Sequence, residues 1–270
     1  MFNCHVHSNH SHDGKNSVIE MVEEAIKKGL IGITFTDHVD LLLYEDRDIY
    51  NHTLQLKEDV LNAQKIYGDK IKILFGMELG EEVYKPELAK KIRDIGGIDC
   101  VLASLHFYKP LNSEYDLAYA DIPLWSKSKV YETVKGYLLT IKEMAENTDF
   151  DVLAHITYPL RYVDAIYHKD FDLKVLKNII LDILNALIKR QKALELNTSN
   201  AVKQNFYMPY EWILKLYNDL GGKLITIGSD GHNIKNVDNG LELGKKMLKK
   251  CGFNEYFYYE KRQPFVAEKL

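Results

Sequence analysis

The sequence alternates short apolar runs with longer stretches of helical periodicity, and this alternation constrains the fold more than any other feature. Seven runs have the length and the apolar, β-branched character of strands: residues 2–7, 31–36, 71–77, 100–105, 152–155, 193–196 and 223–227. Helices are predicted over residues 17–28, 51–67, 86–95, 128–146, 173–190, 209–220 and 239–250. Strands and helices that alternate in this way form parallel sheets with helical crossovers, so the sequence predicts an α/β fold.

A closed barrel in one domain over residues 1–270 is the preferred arrangement. The chain length fits one large α/β barrel or two small domains, but no Pro-, Gly- or Ser-rich linker divides the sequence. A doubly wound open sheet is the alternative. No GxGxxG motif follows the first predicted strand, so the usual dinucleotide-binding role of that fold has no support.

Two of the predicted helices carry local signals. Ser17 followed by Glu20 forms a capping box, which predicts that a helix begins there. The helix over residues 173–190 has one apolar stripe, which indicates that one of its faces packs on a sheet. The stripe consists of Leu176, Ile179, Ile180, Ile183, Leu184 and Leu187.

Charge and cysteine content exclude several classes of protein. The formal net charge is only −4, which disfavours nucleic acid as an obligate partner. The three cysteines are an odd number, lie far apart and form no CxxC pair, so neither a disulfide framework nor a zinc ribbon is expected. This pattern favours a reducing cytoplasm as the compartment. The most apolar stretch, NIILDILNALI, contains Asp182 and Asn185, so no membrane span is expected.

Histidines and carboxylates follow the predicted strands at their carboxyl ends. In a parallel barrel these ends converge on one rim, where the active sites of such barrels are built. The side chains concerned are His5, His7, His38, Glu78, His106, His155, Asp230 and His232.

The HxH spacing of His5 and His7 suits a metal site, because strand residues two apart face the same way. An isolated HxH also fits two histidines on a solvated edge strand, but Asp230 and His232 repeat the spacing near the other end of the barrel. Nitrogen and oxygen donors without a thiolate favour Zn, Mn or Fe. The whole set predicts two or three divalent ions.

The order of these side chains resembles the PHP superfamily, named for polymerase and histidinol phosphatase. The resemblance extends over residues 2–232 and consists of an HxH, a TDH, a glutamate after the third strand, an SxH, a histidine after the fifth strand and an SDxH. It implies a distorted (β/α)7 barrel with a trinuclear metal cluster that hydrolyses phosphoesters. The matching residues are His5, His7, Asp37, His38, Glu78, Ser104, His106, His155, Ser229, Asp230 and His232.

The resemblance also implies how the ligands are shared among three ions, with one glutamate bridging the first and the second. The three sets are His5, His7, Glu78 and Asp230; Glu78, His106 and His155; and Asp13, His38 and His232.

Two positions near the amino terminus, Asp13 and Asn3, are compared with the pattern of the superfamily. Asp13 stands eight residues after His5, where the superfamily has His or Asp, and it is preferred as the ligand over His10 and His12. Asn3 stands where the superfamily usually has Asp. An amide orients a neighbouring ligand histidine less strongly than a carboxylate does.

Two segments resemble the histidinol-phosphatase branch: HITYPLRY at residues 155–162 and ALELNTS at residues 193–199. In that branch an arginine in the first segment binds the substrate phosphate, which implies this catalytic role for Arg161. A guanidinium matches two phosphate oxygens, although a surface salt bridge is the other interpretation. The implied reaction is hydrolysis of L-histidinol phosphate, a small phosphorylated metabolite of histidine biosynthesis, to L-histidinol and phosphate by a metal-bound hydroxide.

Two other functions remain open on the sequence. A PHP phosphoesterase or 3′–5′ exonuclease acting on nucleotides or DNA ends has the same fold, but the net charge and the lack of an attached polymerase domain count against it. An inactive metal-binding module is the second alternative, and the filled ligand positions count against that one. The general acid, the oligomeric state and the residues that read the imidazole and amine of the substrate are not identified.

Four further polar residues are predicted to lie outside the site. Glu81 and Glu82 are expected to be solvated. His52 and His168 fall in helix or loop contexts.

Overall fold

The computed structural model of the chain describes residues 1–45, 47–108, 117–120, 125–163 and 171–270. Its strands are β1 (Phe2–Val6), β2 (Gly32–Phe35), β3 (His38–Asp40), β4 (Lys72–Gly80), β5 (Cys100–Ser104), β6 (Val152–Leu153), β7 (Ala193–Asn197), β8 (Ile225–Gly228), β9 (Glu255–Glu260) and β10 (Gln263–Lys269). Its α-helices are α1 (Val18–Lys27), α2 (Ile49–Tyr67), α3 (Pro86–Arg93), α4 (Lys127–Asn147), α5 (Leu160–Val163), α6 (Lys177–Arg190), α7 (Ala201–Gln204), α8 (Glu211–Asp219) and α9 (Leu241–Lys250).

Seven parallel strands form a nearly closed barrel in the order β1-β2-β4-β5-β6-β7-β8. The two ends of the sheet meet where Asp230 N–H donates to His5 O at 2.9 Å and His7 N–H donates to Gly231 O at 3.0 Å. The predicted (β/α)7 barrel is therefore confirmed, and all seven predicted strands are present. The closure brings the segments that follow β1 and β8 side by side at one rim.

The short strand β3 was not predicted. It pairs with the last residues of β4, from His38 opposite Glu78 to Asp40 opposite Gly80. This pairing explains why β4 continues to Gly80, beyond the predicted end at Met77. As a result, His38 and Glu78 face each other in adjacent strands.

The predicted local signals of two helices are confirmed. Ser17 Oγ accepts from Glu20 N–H at 3.3 Å, while a Glu20 oxygen accepts from Ser17 N–H at 2.8 Å, so α1 begins with a capping box. The predicted helix over residues 173–190 begins with a 3₁₀ turn, Leu173–Leu176, and continues as α6. The apolar stripe of α6 is buried at Ile180, Ile183, Leu184 and Leu187.

A carboxy-terminal hairpin, β9 with β10, covers the amino-terminal end of the barrel. Tyr256 Oη accepts from Phe2 N–H at 2.8 Å, at the start of β1. Arg262 N–H donates to Asp99 O at 2.9 Å, and the Arg262 guanidinium pairs with Asp151, just ahead of β5 and β6 respectively. Because the hairpin closes this end, the opposite rim is the open face of the barrel.

The larger of two hydrophobic clusters among the described residues extends from Phe2 to Tyr256 and joins the barrel to its surrounding helices. The smaller cluster includes Leu102, Val152 and Ala193. No helix among the described residues is long and apolar enough to span a lipid bilayer.

Candidate metal centre

The first and last strands of the barrel bring the first predicted group of ligands together. His5 lies in β1 and His7 directly follows it, with their Nε2 atoms 3.0 Å apart. Asp230, just after β8, places Oδ1 3.7 Å from His5 Nε2 and 3.3 Å from His7 Nε2. These three side chains can therefore donate to one ion.

Glu78 occupies the middle of the rim. Its Oε1 lies 2.6 Å from His155 Nε2 and 3.3 Å from His106 Nε2, which assembles the second predicted group. Its Oε2 lies 2.9 Å from His38 Nδ1. A carboxylate in this position can bridge two ions. The histidines with a ring nitrogen within 3.6 Å of Glu78 are His5, His7, His38, His106 and His155.

The third predicted group lies at the outer part of the rim. Asp13 Oδ1 is 3.6 Å from His38 Nε2, and Asp13 Oδ2 is 3.3 Å from His232 Nε2. The two imidazoles are 3.3 Å apart at their Nε2 atoms. Of the two neighbours weighed against Asp13, His10 pairs with Asp59 at 2.8 Å, away from this group.

His12 is the other neighbour weighed against Asp13, and it lies closer to the third group than His10 does. Its Nδ1 is 3.8 Å from Asp13 Oδ1, and a single ion could be reached by His12, Asp13 and His38 together. In contrast to His12, Asp13 contacts both His38 and His232, as the predicted set requires.

Three buried ligand atoms in the centre have no hydrogen-bond partner among the described residues: His38 Nδ1, Glu78 Oε2 and His155 Nδ1. The first two lie 2.9 Å apart but do not form a hydrogen bond. An unpaired buried polar atom is costly, and a cation would satisfy the carboxylate oxygen. The donors are imidazole nitrogens and carboxylate oxygens within 4.8 Å of one another in each of several groups, which is the chemistry that Zn²⁺ and similar ions require. The residues therefore fit a cluster of divalent ions.

The electrostatics of the rim keep two of its carboxylates, Glu78 and Asp230, ionised. Burial alone would raise the pKa of Glu78, but the imidazoles of His106, His5 and His38 hold that pKa well below its usual value. Burial would likewise raise the pKa of Asp230, but neighbouring imidazoles, led by His5, hold it well below its usual value. Both side chains are therefore in the form that binds cations.

Several side chains that are not predicted from the sequence contact the Nδ1 atoms of the histidines. Glu195 Oε1 lies 2.5 Å from His5 Nδ1, and Asp40 Oδ1 lies 3.2 Å from His106 Nδ1. Ser11 Oγ contacts His7 Nδ1 at 2.9 Å. Such contacts fix the tautomer and the orientation of a ligand imidazole. A carboxylate in the otherwise apolar run ALELN was the available sequence signal for Glu195.

Asn3 does not contact the ring of His5. Its side-chain amide donates to Ser229 Oγ and Val237 O, both at 2.7 Å, and its Oδ1 accepts from the His5 and Ser229 amides. Asn3 therefore ties β1 to the segment after β8. The carboxylate that orients the His5 ring comes instead from Glu195, in β7.

We expect Glu195→Gln to weaken metal binding or to lower kcat by about 10–100-fold. The two oxygens of Glu195 accept separately from His5 Nδ1 and from the His155 amide, the latter at 2.8 Å, whereas an amide side chain has only one acceptor oxygen. Bound metal and phosphate release measured on the same preparation test this. Glu242→Gln, on the exposed face of α9, is the control. Wild-type metal content and kcat in Glu195→Gln would show that neither metal binding nor activity depends on the carboxylate that orients the His5 ring.

Arg161 reaches the same rim from α5. Its Nη2 lies 2.6 Å from Ser199 Oγ and 3.4 Å from Asp230 Oδ2, and its guanidinium packs over the Tyr158 ring at 5.4 Å. Its Nε is buried and has no hydrogen-bond partner in the described part of the chain. The guanidinium therefore lies beside the first group of ligands, and one of its buried N–H groups is unpaired.

The prediction that Glu81 and Glu82 are solvated is wrong. Both are buried: Glu82 pairs with Arg93 at 2.8 Å, and Glu81 accepts from the His106 amide at 3.0 Å. The cause is the continuation of β4 to Gly80, which places both glutamates on the packed rim instead of in a solvated loop.

Of the two histidines predicted to lie outside the site, His52 is exposed on α2. His168 falls outside the described residues.

Comparison with known proteins gives a family match and close relatives. The model of the PHP domain family matches residues 3–199. A probable histidinol-phosphatase of Thermotoga maritima is 30% identical over 253 residues, covering 94% of this chain and 93% of that protein. A histidinol-phosphatase of Lactococcus lactis subsp. lactis is 30% identical over 261 residues, covering 93% of this chain and 91% of that protein.

Solved structures agree with the barrel. A histidinol phosphate phosphatase from Lactococcus lactis subsp. lactis, in complex with Zn, L-histidinol and phosphate, superposes with a TM-score of 0.76 at 26% identity, and the match covers 98% of each chain. A putative histidinol phosphatase of Listeria monocytogenes has the same fold, with a TM-score of 0.76 at 18% identity over 90% of this chain and 99% of that one. With the family match over most of its length and relatives of this identity and coverage, the chain belongs to the PHP domain family.

Proposed function

We propose that the chain is a metal-dependent phosphatase that hydrolyses L-histidinol phosphate to L-histidinol and phosphate. The observation that carries the proposal is the convergence of imidazoles, carboxylates and Arg161 on the open rim of the barrel. It is supported by relatives named histidinol-phosphatase that match nearly the whole chain, and by a structural neighbour that binds Zn, L-histidinol and phosphate.

We infer that the rim holds two or three divalent ions, with Zn²⁺ favoured because the neighbour contains Zn and the donors are nitrogen and oxygen. Mn²⁺ and Fe²⁺ are compatible with the same donor types. When bound, such ions polarise a phosphoryl oxygen and lower the pKa of a coordinated water. The side chains that would hold them are His5, His7, Asp13, His38, Glu78, His106, His155, Asp230 and His232.

Arg161 is proposed as the residue that grips the transferred phosphoryl group. Its guanidinium is held in place by Ser199, Tyr158 and Asp230, so little side-chain freedom is lost when an anion binds. Charge grows on the phosphoryl oxygens and the leaving oxygen during transfer, and a fixed cation stabilises that charge without reorganisation. Arg161 would therefore contribute to kcat as well as to substrate binding.

Other residues of the chain keep this arrangement rigid. Glu195 and Asp40 orient His5 and His106 through their Nδ1 atoms, which leaves each Nε2 directed at the centre of the rim. Because these carboxylates are buried, water does not compete for the contacts. The centre is thus organised before the substrate arrives.

We also infer the setting of the activity. A hydrophobic cluster that extends from β1 to β9 supports a single functional unit over residues 1–270. Three buried cysteines without disulfides support a reducing compartment, for which the cytoplasm is our proposal. The proposed substrate, L-histidinol phosphate, supports a role for the enzyme in histidine biosynthesis.

A comparison of substrates tests the proposed function. Phosphate release is measured from L-histidinol phosphate, from nucleoside monophosphates and from simple sugar phosphates, beside a 3′–5′ exonuclease assay on DNA. We expect kcat/KM for L-histidinol phosphate to exceed the other values by about 100-fold or more, because polar groups built to pair with one substrate are left unpaired by another. Preference for nucleotides or DNA ends would favour the alternative phosphoesterase. Activity on none of them would favour the inactive metal-binding module.

A further inference from the structure

Glu81 is a buried acidic residue beside the metal centre to which the proposed reaction assigns no role. It directly follows β4 and is fully buried. Its backbone has φ of +61°, in the left-handed region that suits glycine and strains a residue with a Cβ atom. A strained conformation of this kind persists only where the surrounding contacts compensate for it.

The contacts of Glu81 extend the sheet beyond the point where its strands part. Backbone pairing between β4 and β5 ends with Gly80 opposite Ser104, and Glu81 N–H adds one bond to Ser104 O at 3.2 Å. Beyond this bond, the Glu81 side chain takes the place of a backbone carbonyl as the acceptor. Its Oε1 accepts from the His106 amide at 3.0 Å and from the Phe107 amide at 3.2 Å. Both amides belong to buried residues, where an unpaired N–H is costly.

The position of Glu81 bears directly on His106. The His106 ring is fixed at Nδ1 by Asp40, at 3.2 Å, and its Nε2 lies 3.3 Å from Glu78 Oε1. Asp40 sets the rotation of the His106 ring, but the location of the His106 Cα atom depends on the loop after β5. Among the described residues, the side chain of Glu81 ties two amides of this loop to the end of β4.

We propose that Glu81 is a positioning residue for the metal centre: through the His106 and Phe107 amides, it holds His106 where its Nε2 can share an ion with Glu78 and His155. This rests on the proposed metal-binding role of His106. The part of Glu81 that performs this role is its acceptor oxygen Oε1. The strained left-handed backbone of Glu81 is compensated by the contacts that this oxygen makes.

Three variants separate this role from general stability. Glu81→Gln keeps an acceptor oxygen in the same place. Glu81→Gly removes the acceptor but relieves the backbone strain, so a loss of function in it does not come from added strain. Glu82→Gln, at the buried glutamate next in sequence that pairs with Arg93, is the matched control.

The measurements use metal-free protein titrated with Zn²⁺ against a chromophoric chelator, the visible spectrum of the Co²⁺-loaded protein, and amide hydrogen exchange at residues 105–108 before metal is added. In Glu81→Gly we expect one ion to bind about 10–100-fold more weakly, an altered Co²⁺ spectrum and faster exchange of the His106 and Phe107 amides. We expect Glu81→Gln and Glu82→Gln to stay within about threefold of wild type, well below the loss typical of a removed ligand contact.

Zn²⁺ affinity, Co²⁺ spectrum and exchange at wild-type values in Glu81→Gly would overturn the proposal. A loss in Glu81→Gln equal to that in Glu81→Gly would also overturn it, because charge rather than the acceptor would then be responsible. If Glu81→Gly does not fold, Glu81→Asp takes its place, since the shorter side chain withdraws the acceptor. Because no substrate is present, these outcomes are independent of whether L-histidinol phosphate is the substrate.

Discussion

Replacing Glu78 by alanine is expected to lower kcat for phosphate release by about four orders of magnitude, which corresponds to about 5.5 kcal/mol of lost transition-state stabilisation. Glu78 is the one carboxylate that stands among five imidazoles, within 3.6 Å of each in the described part of the rim. In the proposed arrangement, its removal would leave only His106 and His155 to hold the second ion. It would also remove a carboxylate whose two oxygens could each serve an ion.

Steady-state kinetics and elemental analysis on the same preparations check this prediction. His232→Ala should also cost several orders of magnitude, because His232 belongs to the third predicted group. His52→Ala, on the exposed face of α2, should stay near wild type. If Glu78→Ala proves too unstable, Glu78→Gln provides the same test with nearly unchanged volume. Equal effects at Glu78 and His52 would contradict the assignment of the rim.

Replacing Arg161 by alanine is expected to raise KM and to lower kcat by about 10²–10³-fold. The guanidinium stands beside Asp230 with its buried Nε unpaired, and we have proposed that it grips the phosphoryl group. Loss of a fixed donor costs more in the transition state than in the ground state, because the charge on these oxygens grows during the reaction. Arg161→Lys should recover only part of the activity, since an ammonium cannot form the two parallel hydrogen bonds of a guanidinium.

Metal content distinguishes a role in substrate binding from loss of the cluster. Neither Arg161 variant should change it, because Arg161 is not among the predicted ligands. Wild-type kinetics of Arg161→Ala with L-histidinol phosphate would refute the assignment and indicate a phosphate position elsewhere on the rim.

The sequence predicted the barrel and the strand-end residues because both depend on local patterns. His5 and His7 could be identified from alternation along one strand, and Glu78 from its place after an apolar run. The grouping of these residues into three sets came from the resemblance to a family and not from spacing. The structure brings the members of those sets within a few ångströms of one another.

The residues that support the centre could not be predicted in the same way. Glu195 orients His5 across 190 positions of sequence, and only the closure of the sheet makes them neighbours. Asp40 contacts His106 because the three-residue strand β3, too short for a periodic signal, pairs with β4. From the sequence, Glu81 resembles a loop residue, because the apolar run that predicts β4 ends at Met77, three residues before the strand does.

Dependence of hydrolysis on metal ions at the rim is tested by titrating metal-free protein with Zn²⁺ or Mn²⁺. Phosphate release from L-histidinol phosphate is followed throughout the titration. Metal removal is verified first by elemental analysis. We expect negligible hydrolysis without metal and full activity at about two to three equivalents, because the convergent nitrogen and oxygen donors have that capacity. Full activity of protein verified as metal-free would contradict this dependence on metal.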